Sequence, residues 1–276
     1  MSRFEELPEN EAAGEIAAIY ARIRALHGVP YVSSLYRHLA THPGVLEWTW
    51  ALIGPAMRDG RIQATAWTIA AQSEEEPLPR LSPAALSVFG VDAAGLQAIR
   101  AVCDSFLRVA PSNLLAAGCL AAALQAERLP DGTVRPMPDW HPPAALPPLP
   151  RMASPESADP AVGDLLQQFA TPMGDQRFVP GLYRMLVHWP GYLAHVAGEL
   201  VPRLADPGWQ ARGEAIAARI VAAVPGILPA CRLPTDRARP EPGLEPALLA
   251  AIATYRCTSP QMIMVSQLLR DALPER

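Results

Sequence analysis

His38 and His42 stand four positions apart on one predicted helix, the spacing that aims two imidazoles from a single face at a metal ion. The surrounding "RHLATHPG" supplies no acidic third ligand, and His42 precedes a proline that ends the helix, so no metal site and no other cofactor is expected. Tyr36-Arg37 and Tyr183-Arg184 are the same dipeptide in two places. Two guanidinium groups brought together would hold a carboxylate, whereas Tyr beside Arg on an amphipathic helix is also ordinary packing with a snorkelling charge. The second reading is preferred, because a duplicated sequence already explains the repetition. His188 and His195 flank the "PG" turn of "HWPGYLAH" with no Ser or Cys nucleophile beside them, so triad chemistry has no local support, and His188 is read as a helix-end cap. Cys103, Cys119, Cys231 and Cys257 form no C-x-x-C pair and read as buried free thiols.

The elements that must position these groups are helices. Ala and Leu recur at three- and four-residue spacing almost throughout, and alternating runs of β-branched residues are short, so the fold class is all-α. Asn10, His42-Pro43, Ser82-Pro83, Asp92, Asp159-Pro160 and Ser259-Pro260 each offer a cap, a first-turn proline or both, which predicts about six helices in each half.

"LYRHLATHPGVL" (35 to 46) returns as "LYRMLVHWPGYL" (182 to 193), an offset of 147. With a two-residue shift the match extends to "AAGEI" (12 to 16) against "AVGDL" (161 to 165), and to "APSNLLAAGCLAAAL" (110 to 124) against "SPQMIMVSQLLRDAL" (259 to 273). The expected organisation is a first helical repeat over 1–128, a linker over 129–158 and a second repeat over 159–276, joined as an intramolecular pseudo-dimer with a cleft near its axis. Residues 129 to 160 hold ten prolines in 32 positions, a density that excludes helix interiors and favours an extended strap crossing the surface.

Composition excludes several function classes. All 23 positively charged residues are Arg, and the net charge of −4 with a pI near 5.9 leaves no basic face for nucleic acid. The N-terminal "MSRFEELPENEAAGEI" is acidic where a signal peptide would be basic and then apolar, and no run of 18 uncharged apolar residues occurs. A cytoplasmic protein without a membrane partner is expected. A homodimer is left open.

The segment "GEIAAIYARIRALHGVPYVSSLYRHLATHPGVLEWTW" (14 to 50), and its partial recurrence in the second half, resembles the start of the group I 2-haloacid dehalogenases of the DehI type. The resemblance covers nearly the whole chain and implies two all-helical repeats joined by a long crossing loop, with a small 2-substituted carboxylic acid bound between them. It implies hydrolysis of the carbon–halide bond by direct water attack, with an Asp of the second repeat as base and an Asn of the first as the orienting amide. The Asp falls seven residues before the Trp of the "WP" turn, which here is Leu182, and the Asn falls before the proline of a helix start that corresponds to "RVAPSNLL", which here is Ala110. Tyr31 of "VPYV" matches a pocket-lining aromatic, so Tyr31, Ser34, Ala110 and Leu182 are the expected pocket lining. A catalytically inactive scaffold that binds a small apolar acid or a protein partner is the alternative.

Two polar residues stand near the vacated positions. Asp175 in "TPMGDQRFVP" precedes the helix that carries Leu182 and is the candidate displaced base; a solvated turn residue is the plainer reading. Asn113 lies one helical turn beyond Ala110 and is the candidate displaced amide, with a surface or capping role as its plainer reading. The repeat is also similar to the alkylhydroperoxidase D-like helical fold, whose redox C-x-x-C is absent from this sequence.

Overall fold

The structure is a computed structural model that describes residues 5–72, 75–130, 132, 134, 137, 139–154, 158–173 and 176–275. The first half forms α1 (Gly14–His27), α2 (Ser34–Leu39), α3 (Val45–Arg58), α4 (Arg61–Ala70), α5 (Pro83–Val88) and α6 (Ala93–Gln125). In the second half α7 (Pro160–Gln167) is followed by strands β1 (Thr171–Met173) and β2 (Gln176–Phe178), then by α8 (Gly181–Leu186), α9 (Pro190–Leu204), α10 (Pro207–Ala222) and α11 (Val224–Ile227). A 3-10 turn at Leu228–Ala230 and α12 (Glu245–Ala272) complete it. The all-α class holds. The one addition among the described residues is the antiparallel hairpin β1–β2, with Thr171 opposite Phe178 and Met173 opposite Gln176, in a segment read from sequence as a loop.

Short polar side chains start several helices as expected. Ser82 accepts from the amide of Ala85, Asp92 from Gly95 and Asp159 from Ala161, each satisfying an otherwise unpaired first-turn donor. Three expected starts are corrected. α1 begins at Gly14, and Asn10 lies in a turn before it. α3 begins at Val45 with Gly44 as N-cap, after the His42-Pro43 turn. Ser259-Pro260 starts nothing, because both residues lie inside α12, as Pro111 lies inside α6.

Those interior prolines lack the N–H that would continue the helix ladder, and their rings push against the preceding turn. Side chains bond carbonyls close to each of these prolines. Arg108 O accepts from Trp67 Nε1 (2.8 Å) and lies 2.6 Å from Ser112 Oγ, while Ser259 Oγ donates to Tyr255 O at 3.0 Å. α6 and α12 stay continuous and pack extensively along each other, with α4 against α6 and α10 against α12, α6 and α4. One apolar core runs through both halves and includes Trp48, Leu52, Leu115, Leu182, Tyr192 and Ile263. α6 is apolar and long enough to cross a membrane by length and composition, as is the stretch Pro207–Ala230; 78% of the apolar window of α6 is buried inside this fold.

The proline-rich segment crosses the molecule along glycines. Gly132 lies beside Pro229 of the second half, and Trp140 lies so close to Gly60 that a Cβ there would fall 1.9 Å from the indole. Leu146 N then donates to Gly28 O at 2.9 Å, and Arg108 Nη1 bonds both Gly28 O and Ala144 O at 2.8 Å. At its far end Met152 packs against Gly181, and Ala153 N donates to Arg184 O at 3.1 Å. The same backbone bond occurs in the first half, where Leu7 N donates to Arg37 O at 3.0 Å.

Candidate functional site

α1 ends where Gly28 adopts a left-handed conformation (φ 59°) as its C-cap. The chain then turns through Pro30 and delivers Tyr31, Ser33, Tyr36 and Arg37 into and along α2. Ser33 occupies the N-cap position of α2 but makes no side-chain cap bond. Its buried hydroxyl instead faces Tyr255 of α12. From α6, Ser105 meets the hydroxyl of Tyr31, and Asn113 places Nδ2 3.5 Å from the hydroxyl of Tyr255. Tyr255 also acts electrostatically on Tyr31 and Tyr36 and lies within the field of Arg37 and Glu6. Ser33 and Asn113 thus approach one phenol of α12, which the charges of Arg37 and Glu6 also reach.

Burial dominates the electrostatics. Loss of hydration raises the hydroxyl pKa of Tyr31, Tyr36 and Tyr255, with Tyr255 partly relieved by Ser33, Asn113 and Arg37. These phenols stay protonated and act as neutral donors. Among the described residues, Ser33 Oγ, Tyr36 Oη, Arg37 Nε and Asn113 Oδ1 are buried without a hydrogen-bond partner. Buried polar atoms are nearly always paired, and these four belong to residues that each interact with Tyr255. Arg37 Nη2 is held by Glu6 Oε2 at 2.6 Å and stands 3.4 Å from Ser34 Oγ. The arrangement offers hydroxyl and guanidinium donors to a small anion, and Asn113 Oδ1 as an acceptor.

A second buried polar group fixes the turn of α6 that carries Asn113. His27 Nδ1 lies 2.9 Å from Ile23 O, and Nε2 lies 2.8 Å from Ser112 Oγ. One assignment satisfies every partner: Nδ1–H donates to Ile23 O, Ser112 donates to Nε2, and Trp67 serves Arg108 O. Burial lowers the His27 pKa to about 4, which keeps this neutral tautomer.

The residues singled out from sequence fare differently. Tyr31 and Asn113 meet in the cluster around Tyr255, and Ser34 borders it through Arg37. Asn113 is fully buried, which corrects its reading as a surface or capping residue. Ala110 is buried beside Pro111 inside α6, not at a helix start. Leu182 is fully buried on α8, whose first residue Gly181 approaches Phe106 and Met152. Asp175 lies outside the described residues. His38 and His42 pack edge to face at 5.2 Å, and no group of three metal-ligating side chains occurs among the described residues. His188 Nε2 meets Arg151 O at 2.9 Å, and His195 stacks on Phe89 at 4.8 Å. Cys103, Cys119 and Cys231 are buried free thiols, and Cys257 is exposed, which corrects its reading as a buried one. Tyr255 was not among the sequence candidates; its signal was "YR" (255 to 256), a third Tyr-Arg dipeptide outside the register of the repeat.

No family model matches the chain. It is 26% identical over 248 residues to an (R)-2-haloacid dehalogenase of Pseudomonas putida, covering 84% of this chain and 79% of that one. Among solved structures, a D-2-haloacid dehalogenase mutant superposes with a TM-score of 0.74 at 22% identity, covering 97% of this chain and 94% of that one. A D-2-haloacid dehalogenase mutant in complex with D-2-CPA gives 0.73 at 21% identity, with the same coverage.

Proposed function

We propose, from the chain's kinship in sequence and fold with the group I 2-haloacid dehalogenases, that the cluster around Tyr255 binds a small 2-substituted carboxylic acid. The observation that carries this reading is the set of orphaned polar atoms on Ser33, Tyr36, Arg37 and Asn113. A carboxylate would accept from Arg37 and the hydroxyls, and the apolar core around them would take the rest of a small acid. The paired bonds of Leu7 N to Arg37 O and Ala153 N to Arg184 O support the two-repeat organisation, with residues 129–158 as the crossing linker.

Hydrolysis would proceed by attack of water on the halogen-bearing carbon. The halide would leave with the bonding pair, and a base would take the water proton. Leu182, at the position the resemblance assigns to that base, has no group that accepts a proton. Turnover then depends on Asp175 as displaced base, with Asn113 orienting the water. A scaffold that binds the acid without turning it over is favoured by one observation: the carboxylate acting on Tyr255 among the described residues is Glu6, which Arg37 already holds.

Halide release from both enantiomers of 2-chloropropionate, measured beside calorimetric binding of the same acids, tests this. Release that disappears in Asp175→Asn supports the hydrolase, and binding without release supports the scaffold. Neither binding nor release would remove the site.

A further inference from the structure

We propose that Glu6 is an internal carboxylate plug: it occupies the guanidinium edge of Arg37 that an acid ligand would take, and the segment carrying it is a latch the ligand must displace. This rests on the Tyr255 cluster being the acid site. The side-on edge of an Arg presents Nε–H and Nη2–H as a fork, which a carboxylate can bridge with both oxygens. At Arg37 only half of that fork is used. Nη2 holds Glu6 Oε2 at 2.6 Å, while Nε is buried without a partner among the described residues.

The second copy of the motif supplies the comparison. Arg184 is the counterpart of Arg37, and its Nε donates to Ala153 O at 2.7 Å, so a main-chain carbonyl of the neighbouring extended segment satisfies it. In the first copy the matching segment makes the same backbone bond, Leu7 N to Arg37 O. Its acidic side chain, not a carbonyl, reaches the guanidinium. Only the first copy therefore combines an unfilled Nε with a carboxylate that can be exchanged for another.

The segment is held in a way that lets one end yield. Glu9 anchors it firmly, with Oε1 accepting from Val32 N at 2.7 Å and Oε2 paired with Arg24. Nearer the N-terminus Leu7 is tied by its N–H to Arg37 O and by Tyr20 Oη, which donates to Leu7 O at 3.2 Å, and His38 Nδ1 lies 2.9 Å from Glu5 O. Glu6 and Arg37 are each partly exposed, with side chains at 30% and 24%, so water can replace Glu6 on exchange. An incoming monocarboxylate would use both Nε and Nη2, relieve the orphaned donor and free the segment up to Glu9.

Calorimetric titration with 2-chloropropionate and with its neutral amide, on the parent, Glu6→Gln and Arg37→Gln, tests the plug. Glu6→Gln is expected to tighten the acid by about fivefold to tenfold and to leave the amide unchanged, and Arg37→Gln to abolish the preference for acid over amide. Amide hydrogen exchange at Leu7 is expected to quicken when the parent binds the acid. Equal acid affinity in parent and Glu6→Gln, or equal tightening of the amide, overturns the plug. If Tyr255→Phe weakens acid binding while both other variants leave it unaltered, the site stands and the plug falls. Failure of all the proteins to bind the acid removes both.

Discussion

Asn113 Nδ2 and Tyr255 Oη stand 3.5 Å apart, joining α6 to α12 by a polar contact within their largely apolar seam. The contact is long for a hydrogen bond, and Asn113 Oδ1 has no partner at all among the described residues. Such a pair tightens when a ligand supplies the missing donor or acceptor. In Tyr255→Phe, binding of 2-chloropropionate should weaken by about tenfold, the equivalent of about 1.4 kcal/mol. Stability should change by no more than about 1 kcal/mol, because the phenol ring remains. Titration calorimetry and urea unfolding of the same preparation check both.

Leu182 is fully buried, so Leu182→Asp places a carboxyl where water is scarce. The substitution should cost on the order of 2–5 kcal/mol from lost packing and an unpaired polar group. Halide release should rise above the parent's, since a positioned base contributes about 10²–10⁴ in rate. Burial raises the pKa of the new acid, so release should grow toward alkaline pH. The folded protein binds the extra proton over that range, and stability should fall as pH rises. A pH series of halide release and urea midpoints tests the two opposing slopes.

The sequence made the helices legible because their signals are local. Asp92, Asp159 and Ser82 cap as their type and position require. Pro111 and Pro260 misled for the complementary reason: proline at a helix start and proline inside a helix look alike until the tertiary packing of the helix is known. α6 runs through Pro111 under contacts from distant sequence, Trp67 Nε1 on Arg108 O being 41 residues away. The site was half visible. Tyr31 and Asn113 could be named from the motif, but Asn113 was assigned to a surface because its burial depends on α12, and Tyr255 had no motif to mark it. Contacts between α6 and α12 span more than 140 residues of sequence, a distance over which no local pattern reports.

His27 predicts an acid-sensitive fold. Its pKa falls from 6.5 to about 4 on burial, so the unfolded chain binds a proton between those values that the folded protein does not. Stability is therefore full above about pH 6.5 and declines as pH falls, by about 3 kcal/mol once pH 4 is reached. His27→Gln keeps polar groups for Ile23 O and Ser112 and carries no titrating ring. It should be less stable at pH 7.5 and should lose less on acidification to pH 5. Identical pH slopes in the two proteins would show that His27 does not set the acid limit.

Gly60 adopts φ +78°, and the indole of Trp140 occupies the space a Cβ would need. Gly60→Ala therefore combines a left-handed backbone penalty of about 1 kcal/mol with displacement of the crossing segment. A total loss above about 2 kcal/mol is expected from urea unfolding. Trp140→Ala in the same chain should recover the part due to collision and leave the backbone part. Additive losses in the double variant would place Trp140 away from Gly60 in solution.

The glycine-lined crossing also sets an order of events during synthesis. A ribosome extends the chain from the N-terminus, and folding units form as they emerge. α1 and α4 are complete well before Trp140 and Leu146 leave the tunnel, so the faces of Gly28 and Gly60 wait uncovered behind the growing end. The residues that cover them arrive only on the way to α7. Closure of the first half is thus coupled to the start of the second, and a nascent chain halted before Trp140 would present those bare glycine faces to whatever meets the ribosome exit.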